Sequence, residues 1–350
     1  MSVFAHPEFD HHEHLSFVHD EKSGLRAILA VHNTRLGPAL GGTRFYPYGS
    51  DEEALTDVLR LSRGMTCKSA MARLPLGGGK SVIIGNPKTD KTPELLHAFG
   101  RGLNALGGLY IAAEDSGTSV PDMKRIHEVT EFVTGFHDKV DEQGHARTGD
   151  PSPATAYGCY MGIRAAVKHH LGADSLNGLT VGIQGLGSVG YRLGRLLVGG
   201  GARLIVTDVN EEVLAQARDE LGAEVVSTEA IYDQALDVFA PCALGATVTP
   251  ETVDRLQAGI IAGAANNQLD RAETGQLLFD RGVCYAPDYV INAGGVIDVY
   301  YEQSGQYDPE TVHRHVEGIY QTLIEIFERS QREQIPTSEI ADTIARERLG

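Results

Sequence analysis

A glycine-rich turn between an apolar run and a helix-like segment constrains the fold of this chain most. In "LTVGIQGLGSVGYRLGRLL" (179–197), Gly185, Gly187 and Gly190 form the pattern G-x-G-x-x-G, and Asp208 ends the next apolar run. The first glycine allows a tight turn, the second lets the backbone approach a pyrophosphate, and the third lets the following helix pack on the strand. This context predicts a dinucleotide-binding βαβ unit. The aspartate would bind the ribose 2′-hydroxyl and repel a 2′-phosphate, which favours NAD over NADP.

The rest of the second half repeats the alternation of strand and helix. Six short apolar runs follow one another: LTVGIQGLG, GARLIVTDVN, AEVVS, LDVFAPCA, GIIAGAAN and GVCYAP. Most are separated by helix-like segments or polar turns, which predicts a mostly parallel, doubly wound sheet. From residue 309 on, apolar residues recur at i, i+3 and i+4, and this spacing predicts C-terminal helices.

The first half also mixes strands and helices, so an α/β fold with two domains is expected. "LRAILAVHNT" and "KSVIIGNP" read as buried strands because their β-branched runs end in turn residues. The segment 50–72 reads as a helix with a capping box, in which Ser50 is the N-cap and Glu53 lies three residues later. The polar stretch 137–153 is a plausible hinge between the two domains.

Composition excludes several classes of partner. The length of 350 residues is enough for two domains, and 30 basic against 47 acidic residues give a net charge of −17. Nucleic acids and anionic membranes attract basic surfaces, so neither is expected to bind. The four cysteines show no C-x-x-C spacing, which argues against a disulfide framework and a zinc site. Without a signal peptide or a long apolar run, a cytoplasmic protein is expected.

The stretch "LPLGGGKSVIIG" (74–85) suggests a phosphate-binding loop, but two observations argue against it. The P-loop pattern G-x-x-x-x-G-K-[ST] requires a glycine where Leu74 stands. A P-loop also leads from a strand into a helix, whereas this segment leads into the strand-like "SVIIG". Lys80 is therefore not expected to bind a nucleotide phosphate.

Two lysines and an acidic pair suggest a different chemistry. Lys68 ends the first long helix, Lys80 follows the three glycines, and Glu114 and Asp115 follow the apolar run of "YIAAEDSGT". One ammonium could hold a substrate carboxylate. The other, crowded by a like charge and partly desolvated, would have a lowered pKa and serve as a base, while a carboxylate passes a proton. The alternative of surface lysines and a helix-capping acid stays open from the residues alone.

Taken together, these stretches resemble the glutamate/leucine/phenylalanine/valine group of amino-acid dehydrogenases. The matching motifs span nearly the whole chain: LGPALGGTR, LRLSRGMTCKSA, LGGGKSVIIG, AEDSGT, GDPSPATAYG, APCALGATV, AGAANNQL and APDYVINAGGV. The resemblance implies an NAD-dependent oxidative deamination of an L-amino acid, reversible as reductive amination of a 2-oxo acid. It also implies a homo-oligomer, often an octamer, and a cleft between the domains.

The resemblance also implies a role for each matching residue. Lys68 would bind the substrate carboxylate, Lys80 would be the general base that activates water, and Asp115 would carry protons to and from the substrate nitrogen. The substrate pocket would be lined by Leu40, Gly41, Gly42, Met65, Gly77, Gly78, Ala113, Asn267, Val296 and Val299. The cofactor would be held by Gly185, Leu186, Gly187, Ser188, Val189, Gly190, Asp208, Val209, Ala240, Pro241, Cys242, Ala243, Ala264, Ala265, Asn266 and Asn292. The implied domains are 1–140 for the substrate, 141–328 for NAD, and 329–350 as helices returning to the first domain.

Two positions bear on the choice of amino acid. Relatives that act on glutamate carry a lysine where Leu40 stands and a serine where Val299 stands. An apolar pocket would leave a glutamate carboxylate without a partner, so glutamate is disfavoured. A branched aliphatic substrate is expected, leucine with valine and isoleucine, because apolar pockets discriminate weakly between such chains. Phenylalanine or tryptophan specificity remains the alternative.

Other histidines and cysteines are interpreted as non-catalytic. "HPEFDHHEH" near the N-terminus lacks metal-ligand spacing and is expected to be a solvated surface segment, so no metal is predicted. Cys67 has no neighbouring base that would make it a nucleophile. A 2-hydroxy-acid or opine dehydrogenase would need a catalytic histidine, and His127 and His145 lie in polar, unmatched context. A dinucleotide-binding regulator without activity would be expected to lack Lys68, Lys80 or Asp115.

Overall fold

The computed structural model describes residues 3–140, 146–243 and 245–350. His145 and part of the predicted hinge at 137–153 lie outside the described residues. The chain divides into two compact units. The first consists of Met1–Asp150, Val299–Pro309 and Ala345–Gly350, and the second consists of Pro151–Asp298 and Glu310–Ile344.

These units differ from the predicted domain boundaries. The first break falls after Asp150 rather than after residue 140, and residues 329–344 belong to the second unit rather than returning to the first. Apolar periodicity identified those residues as helical. It does not show which unit buries the apolar face of a helix, so it could not place this boundary; residues 345–350 do lie with the first unit.

The N-terminal part contains both strands and helices. They are β1 (His14–Asp20), β2 (Leu25–Asn33), β3 (Ala39–Tyr46), α1 (Asp51–Met71), β4 (Gly77–Ile84), α2 (Pro93–Asn104), β5 (Tyr110–Glu114), α3 (Val120–His127), β6 (Lys139–Val140) and β7 (Ala146–Arg147). Five of these strands form one mixed sheet in the order β1-β2-β4-β3-β5 among the described residues. Strands β3, β4 and β5 run parallel, whereas β1 and β2 are antiparallel to their neighbours.

Both faces of this sheet are covered by helices. Successive strand residues point to opposite faces. On one face, Ile28 of β2 packs with Val58 and Leu59 of α1. On the other face, Leu29 of β2 packs with Phe99 of α2. The inner strands β2, β4 and β3 are therefore buried on both sides.

Helix α1 begins where the sequence predicted, but its cap differs in detail. The Ser50 hydroxyl accepts a hydrogen bond from the Glu53 N–H at 3.1 Å, as an N-cap should. The Glu53 carboxylate, however, accepts from the Gly49 N–H rather than from Ser50. The capping box is thus half formed, with the glutamate reaching one residue further back along the chain.

The remaining elements make up the second half of the chain. They are α4 (Ser152–Leu171), β8 (Thr180–Gln184), α5 (Ser188–Gly199), β9 (Arg203–Thr207), α6 (Glu211–Leu221), β10 (Glu224–Val225), β11 (Val238–Pro241), α7 (Pro250–Arg255), β12 (Ile260–Ile261), α8 (Ala272–Asp280), β13 (Cys284–Tyr285), α9 (Asp288–Ile291), α10 (Gly294–Gln303), α11 (Pro309–Glu333) and α12 (Thr337–Leu349). All six predicted strands are present, paired in parallel in the order β10-β9-β8-β11-β12-β13. Strand order reverses beside β8, and ligands of such sheets bind outside the carboxyl ends of the strands at this point.

Two side chains of the histidine-rich N-terminal segment are buried rather than solvated, which corrects the prediction for them, whereas Asp10, His11 and Glu13 are exposed as expected. His6 and His12 are buried against α1. His12 Nε2 lies 3.0 Å from the Leu59 carbonyl oxygen, and its Nδ1 accepts from the Asp10 N–H at 3.1 Å. Desolvation lowers the pKa of His12 to about 4, so this side chain is a neutral packing residue.

Among the described residues, none of the helices is both long and apolar enough to cross a bilayer. No group of three or more histidine, cysteine or acidic side chains in the same ranges is arranged to hold a metal ion.

Candidate active site

Strands β4 and β5 bring Lys80 and Asp115 into contact. Lys80 lies within β4 and is 7% exposed, while Asp115 is the first residue after β5. Lys80 Nζ is 2.7 Å from Asp115 Oδ2. The lysine is therefore crowded by an opposite charge, not by a second ammonium as the sequence suggested. At 2.7 Å, a proton can pass directly between the two groups.

A second cation adjoins the same carboxylate. Arg44 Nε lies 3.3 Å from Asp115 Oδ2, and Arg44 is held in turn by Asp57 at 2.8 Å. The Tyr48 hydroxyl donates to the same Asp57 oxygen at 2.6 Å. Burial by itself raises the pKa of Asp115, but the charges of Lys80 and Arg44 outweigh it and lower that pKa to about 2. Sequence reasoning missed Arg44, although it lies inside the quoted motif LGPALGGTR.

Gly42 provides the space for this ion pair. A Cβ on Gly42 would lie 2.7 Å from the Asp115 Cβ and 3.1 Å from Lys80 Nζ. Gly42 is also the register partner of Ala113 in the parallel β3–β5 ladder. Any side chain at this position would separate the lysine from the aspartate, so the glycine is a structural requirement of the pair.

The neighbouring Gly41 is supported by a residue that sequence analysis did not identify. The fully buried Tyr110 hydroxyl donates to the Gly41 carbonyl oxygen at 2.8 Å and lies 3.1 Å from Ser81 Oγ. Ser81 Oγ also donates to Thr43 Oγ1 at 2.9 Å. These contacts explain why a serine follows Lys80: it ties β4 to β3 beside the candidate site.

The three glycines before Lys80 belong to β4 itself rather than to a loop. A Cβ on Gly78 would lie 2.0 Å from the Thr66 backbone nitrogen in α1, and one on Gly79 would lie 2.5 Å from the Tyr110 ring. The helix and the tyrosine thus pack directly against the strand backbone. The absence of a phosphate loop at this place agrees with the sequence argument.

The other predicted substrate residues of the first unit occupy neighbouring elements. Lys68 and Met65 are half-buried in the last two turns of α1, which packs on β4 at Gly78. Leu40 is buried in β3 as the register partner of Gly78 and of Ile111.

Ala113 and Val299 come together around Gly135. A Cβ on Gly135 would lie 3.9 Å from the Ala113 Cβ and 4.0 Å from the Val299 Cγ2. Both side chains are buried, and the hydroxyl of the adjacent Thr134 is buried without a hydrogen-bond partner among the described residues. Gly135 and Thr134 carried no recognisable signal, because no motif marks an apolar contact across two distant segments. Val296 is buried one helical turn before Val299 on α10.

In the second unit, the glycine pattern forms the expected turn between β8 and α5. Gly185 has φ +97°, a left-handed conformation that favours glycine, and a Cβ on Gly190 would lie 2.0 Å from the Gly185 carbonyl oxygen. Gly187 is the N-cap of α5, followed by Ser188 and Val189 in its first turn. Nothing lies within 4 Å of a Cβ built on Gly187, which leaves this side of the turn open to an anionic group.

Asp208 lies at the end of β9 and contacts the turn directly. Its Oδ2 accepts from the Leu186 N–H at 2.6 Å, and its Oδ1 accepts from the Asn210 N–H at 2.9 Å. The side chain is thereby fixed at the carboxyl end of the sheet. Val209, the next residue, is 90% exposed, so its apolar surface is available beside the turn.

The remaining predicted cofactor residues line the carboxyl ends of β11 and β12. Asn292 Nδ2 donates to Asn266 Oδ1 at 2.7 Å and to the Ala264 carbonyl oxygen at 3.1 Å. Its buried Oδ1 has no hydrogen-bond partner among the described residues. Asn267 has φ +51°. The others lie along the same edge: Ala240 and Pro241 in β11, Cys242 and Ala243 after it, and Ala265 after β12.

Gln268, which sequence analysis did not identify, supports this edge. Its fully buried side chain donates to the carbonyl oxygens of Gly263 and Ala265 at 2.7 and 3.0 Å. It thereby fixes the turn that carries Ala264 and Asn266. The Cys242 thiol is not a nucleophile candidate, because burial raises its pKa to about 11.

Comparison with known proteins agrees with this geometry. Residues 12–132 match the Glu/Leu/Phe/Val dehydrogenase dimerisation domain, and residues 202–349 match glutamate/leucine/phenylalanine/valine dehydrogenase. The chain is 50% identical to leucine dehydrogenase of Bacillus subtilis (strain 168), with 100% of this chain and 94% of that protein covered. It is 49% identical to leucine dehydrogenase of Geobacillus stearothermophilus over the same shares. The crystal structure of L-tryptophan dehydrogenase from Nostoc punctiforme superposes with a TM-score of 0.83 at 42% identity, covering 97% of this chain and 96% of that one.

The fold and the site together define a two-domain α/β enzyme of the amino-acid dehydrogenase class, which uses a nicotinamide cofactor. The chain belongs to the glutamate/leucine/phenylalanine/valine dehydrogenase family. The predicted family, fold class and enzyme class are confirmed.

Proposed function

We propose that this enzyme catalyses the NAD-dependent, reversible oxidative deamination of branched-chain aliphatic L-amino acids, with leucine preferred and valine and isoleucine accepted. The observation that carries the proposal is the buried contact between Lys80 and Asp115 beside Gly42. It supplies a proton-exchanging pair next to a space that only a glycine leaves open. The relatives named leucine dehydrogenase support the choice of substrate.

The second unit fits a nicotinamide dinucleotide. The open side of Gly187 at the N-terminus of α5 suits a pyrophosphate, and the buried, unsatisfied Asn292 Oδ1 suits a carboxamide N–H donor. Asp208 would accept from a ribose 2′-hydroxyl and repel a 2′-phosphate, which supports NAD rather than NADP. When bound, the cofactor accepts the hydride that leaves the substrate Cα.

The residues of the first unit then bind the substrate carboxylate and transfer protons. Lys68 holds the substrate carboxylate. Loss of hydride leaves an iminium at Cα, and water attacks that carbon while Lys80 takes a proton from it. Asp115 exchanges a proton with the substrate nitrogen, the C–N bond breaks, and ammonia leaves with the 2-oxo acid as the other product. Water enters the balance as the oxygen source, so the net products are 2-oxo acid, ammonium, reduced cofactor and one proton.

The side-chain pocket is proposed to be apolar. Leu40, Ala113 and Val299 are all buried in the first unit. A carboxylate placed among them would lose its hydration without gaining a partner, which costs several kcal/mol. This argument disfavours glutamate and favours leucine, isoleucine and valine.

The test is a panel of L-amino acids assayed in parallel with NAD and NADP at alkaline pH, following cofactor reduction at its absorbance band. We expect turnover with leucine, valine and isoleucine, a preference for NAD, and no turnover with glutamate. Activity confined to phenylalanine or tryptophan would reject the branched-chain assignment but keep the reaction. Absence of turnover across the panel would reject the reaction itself.

We also propose a homo-oligomer, with an octamer as the family resemblance implies, and a cytoplasmic location consistent with four cysteines that form no disulfide in the described part of the chain. Light scattering coupled to size-exclusion chromatography measures the mass directly. A mass of 37.6 kDa, that of a single chain, would reject the oligomer.

A further inference from the structure

A buried ion pair outside the residues assigned above links α10 to the loop that follows Val133. Glu302 Oε2 lies 2.6 Å from Lys139 Nζ, and the two side chains are 3% and 2% exposed. Tyr307 adds a cation–π contact, with Lys139 Nζ 5.4 Å from its ring centre. Removing two charges from water offsets most of their attraction, so such a pair is weak evidence for stability. A role in fixing a local arrangement accounts for it better.

The other oxygen of Glu302 organises the loop backbone. Glu302 Oε1 accepts from three consecutive N–H groups, those of Gly135 and Phe136 at 2.8 Å and of His137 at 3.1 Å. Gly135 has φ +81°, which lets the successive N–H groups converge on one point. This is a backbone nest, an arrangement that binds anions, and here the carboxylate fills it. Lys139 and these amides hold the pKa of Glu302 below its usual range despite burial, so the group is ionised.

The segment 135–137, whose amides Glu302 binds and which we call the clamped loop, contacts both walls of the proposed side-chain pocket. Gly135 lies between Ala113 and Val299, within 4.0 Å of each if a Cβ is built on it. Val299 and Glu302 are three residues apart on α10 and so share one face of that helix. The preceding Thr134 N–H donates to the Ala112 carbonyl oxygen at 2.9 Å. One end of the loop is thus fixed to β5 and the other to α10.

We propose that Glu302, held by Lys139, is a positioning residue that sets the spacing between Ala113 and Val299 and thereby the side-chain selectivity of the enzyme. This inference rests on the proposed function, since it concerns the pocket of that same site. Glu302 acts through Gly135 and Val299 rather than on the reacting atoms. A small displacement of either wall changes the fit of a methyl branch, which is enough to alter selectivity by roughly 10- to 200-fold.

The experiment compares two variants with the wild type. Glu302→Gln keeps an acceptor for the loop amides but removes the negative charge that faces Lys139. Glu302→Leu/Lys139→Met removes both buried charges, so it avoids a buried lone charge that could prevent folding. For each, kcat and KM are measured with L-valine, L-leucine, L-norleucine and L-phenylalanine, together with hydrogen exchange of the amides at 135–137.

We expect both variants to raise KM for L-leucine tenfold or more while kcat at saturation changes less than threefold. The ratio of kcat/KM between norleucine and leucine should rise at least threefold, with the pH profile of kcat unchanged. In the double variant, the amides at 135–137 should lose exchange protection. The control is Asp122→Asn, which breaks the partly buried pair with Lys91 at 2.7 Å and should lower stability without changing the substrate ratios.

Three results would overturn the proposal that Glu302 sets the spacing between Ala113 and Val299. The first is an equal drop of kcat/KM for every substrate, as a merely structural role predicts. The second is a ratio unchanged from the control. The third, independent of activity, is full retention of exchange protection at 135–137 in the double variant. A wild type inactive on all amino acids would instead reject the proposed function, and the exchange data would still decide whether the clamp exists.

Discussion

Lys80 and Asp115 form a direct ion pair, with Nζ 2.7 Å from Oδ2, although they lie 35 positions apart. Lys80 is in β4 and Asp115 directly follows β5, and these two strands are not adjacent in the sheet. Strand β3 lies between their strands, and its Gly42 has no side chain to keep them apart. The pair therefore depends on three strands at once.

Replacing Lys80 by alanine should remove catalysis while sparing the cofactor. We expect turnover to fall by about 10²- to 10⁴-fold, the range for losing a general acid–base group. NADH affinity, measured by fluorescence, should stay within a factor of three, because the glycine turn of the second unit is untouched. A collapse of NADH affinity with little loss of turnover would make Lys80 a cofactor ligand instead.

Arg44→Met should raise the pKa of Asp115. Two neighbouring cations lower that pKa to about 2, and removing one of them makes the charged carboxylate less favourable. The acid limb of the pH profile of kcat/KM should therefore move to higher pH. Arg26→Met, which breaks an exposed pair with Asp51, is the matched control and should leave the limb in place. If the acid limb of Arg44→Met stayed at the pH of the wild type, Arg44 would have no influence on the protonation of Asp115 in the reaction.

Asp208 should determine the preference for NAD over NADP. Asp208→Asn keeps an acceptor for the Leu186 N–H, so the turn should stay intact, but it removes the charge that repels a 2′-phosphate. We expect the ratio of kcat/KM for NAD to that for NADP to fall by about tenfold, equivalent to about 1.4 kcal/mol. The measurement is steady-state kinetics with both cofactors at one L-leucine concentration. An unchanged ratio would remove Asp208 from the ribose role.

Gly78→Ala should destabilise the first unit. The added methyl carbon would lie 2.0 Å from the Thr66 backbone nitrogen, so α1 must move away from β4, and we expect a loss of more than about 2 kcal/mol. Gly64→Ala in α1 is the control, because no atom lies within 4 Å of a Cβ built at Gly64. That change should stabilise by about 0.5–1 kcal/mol through helix propensity. Urea unfolding measures the free energy of unfolding of both variants. Equal values would refute the close approach of α1 to β4.

His12 should make the protein less stable in mild acid. Its pKa is near 4 in the folded chain against 6.5 unfolded, with desolvation as the main cause and His32 and Arg63 adding repulsion against the attraction of Asp10. The unfolded chain therefore binds more protons between these values, and stability falls as the pH drops from 6.5 towards 4, by at most about 3 kcal/mol. His12→Gln should flatten this slope in thermal unfolding at pH 7 and pH 5. If stability changed with pH as steeply as in the wild type, groups other than His12 would cause the acid sensitivity.

Local signals located most of the secondary structure. The six strands of the second sheet, the glycine turn at Gly185–Gly190 and the N-cap at Ser50 all follow from spacing and residue type, which act within a few positions of one another. The strand expected at KSVIIGNP begins three residues earlier, at Gly77, because α1 and Tyr110 pack directly against the backbone of Gly78 and Gly79.

The sequence by itself determined the dinucleotide-binding half, the family and the identities of Lys80 and Asp115, since these are carried by contiguous motifs. Only the tertiary structure decided that Lys80 faces a carboxylate, that Arg44 joins it, that Glu302 clamps the loop at Gly135, and where the units divide. The reason is physical. Ion pairing and burial depend on which distant segments meet across a sheet, and that pairing is a property of the packed chain rather than of any window along it.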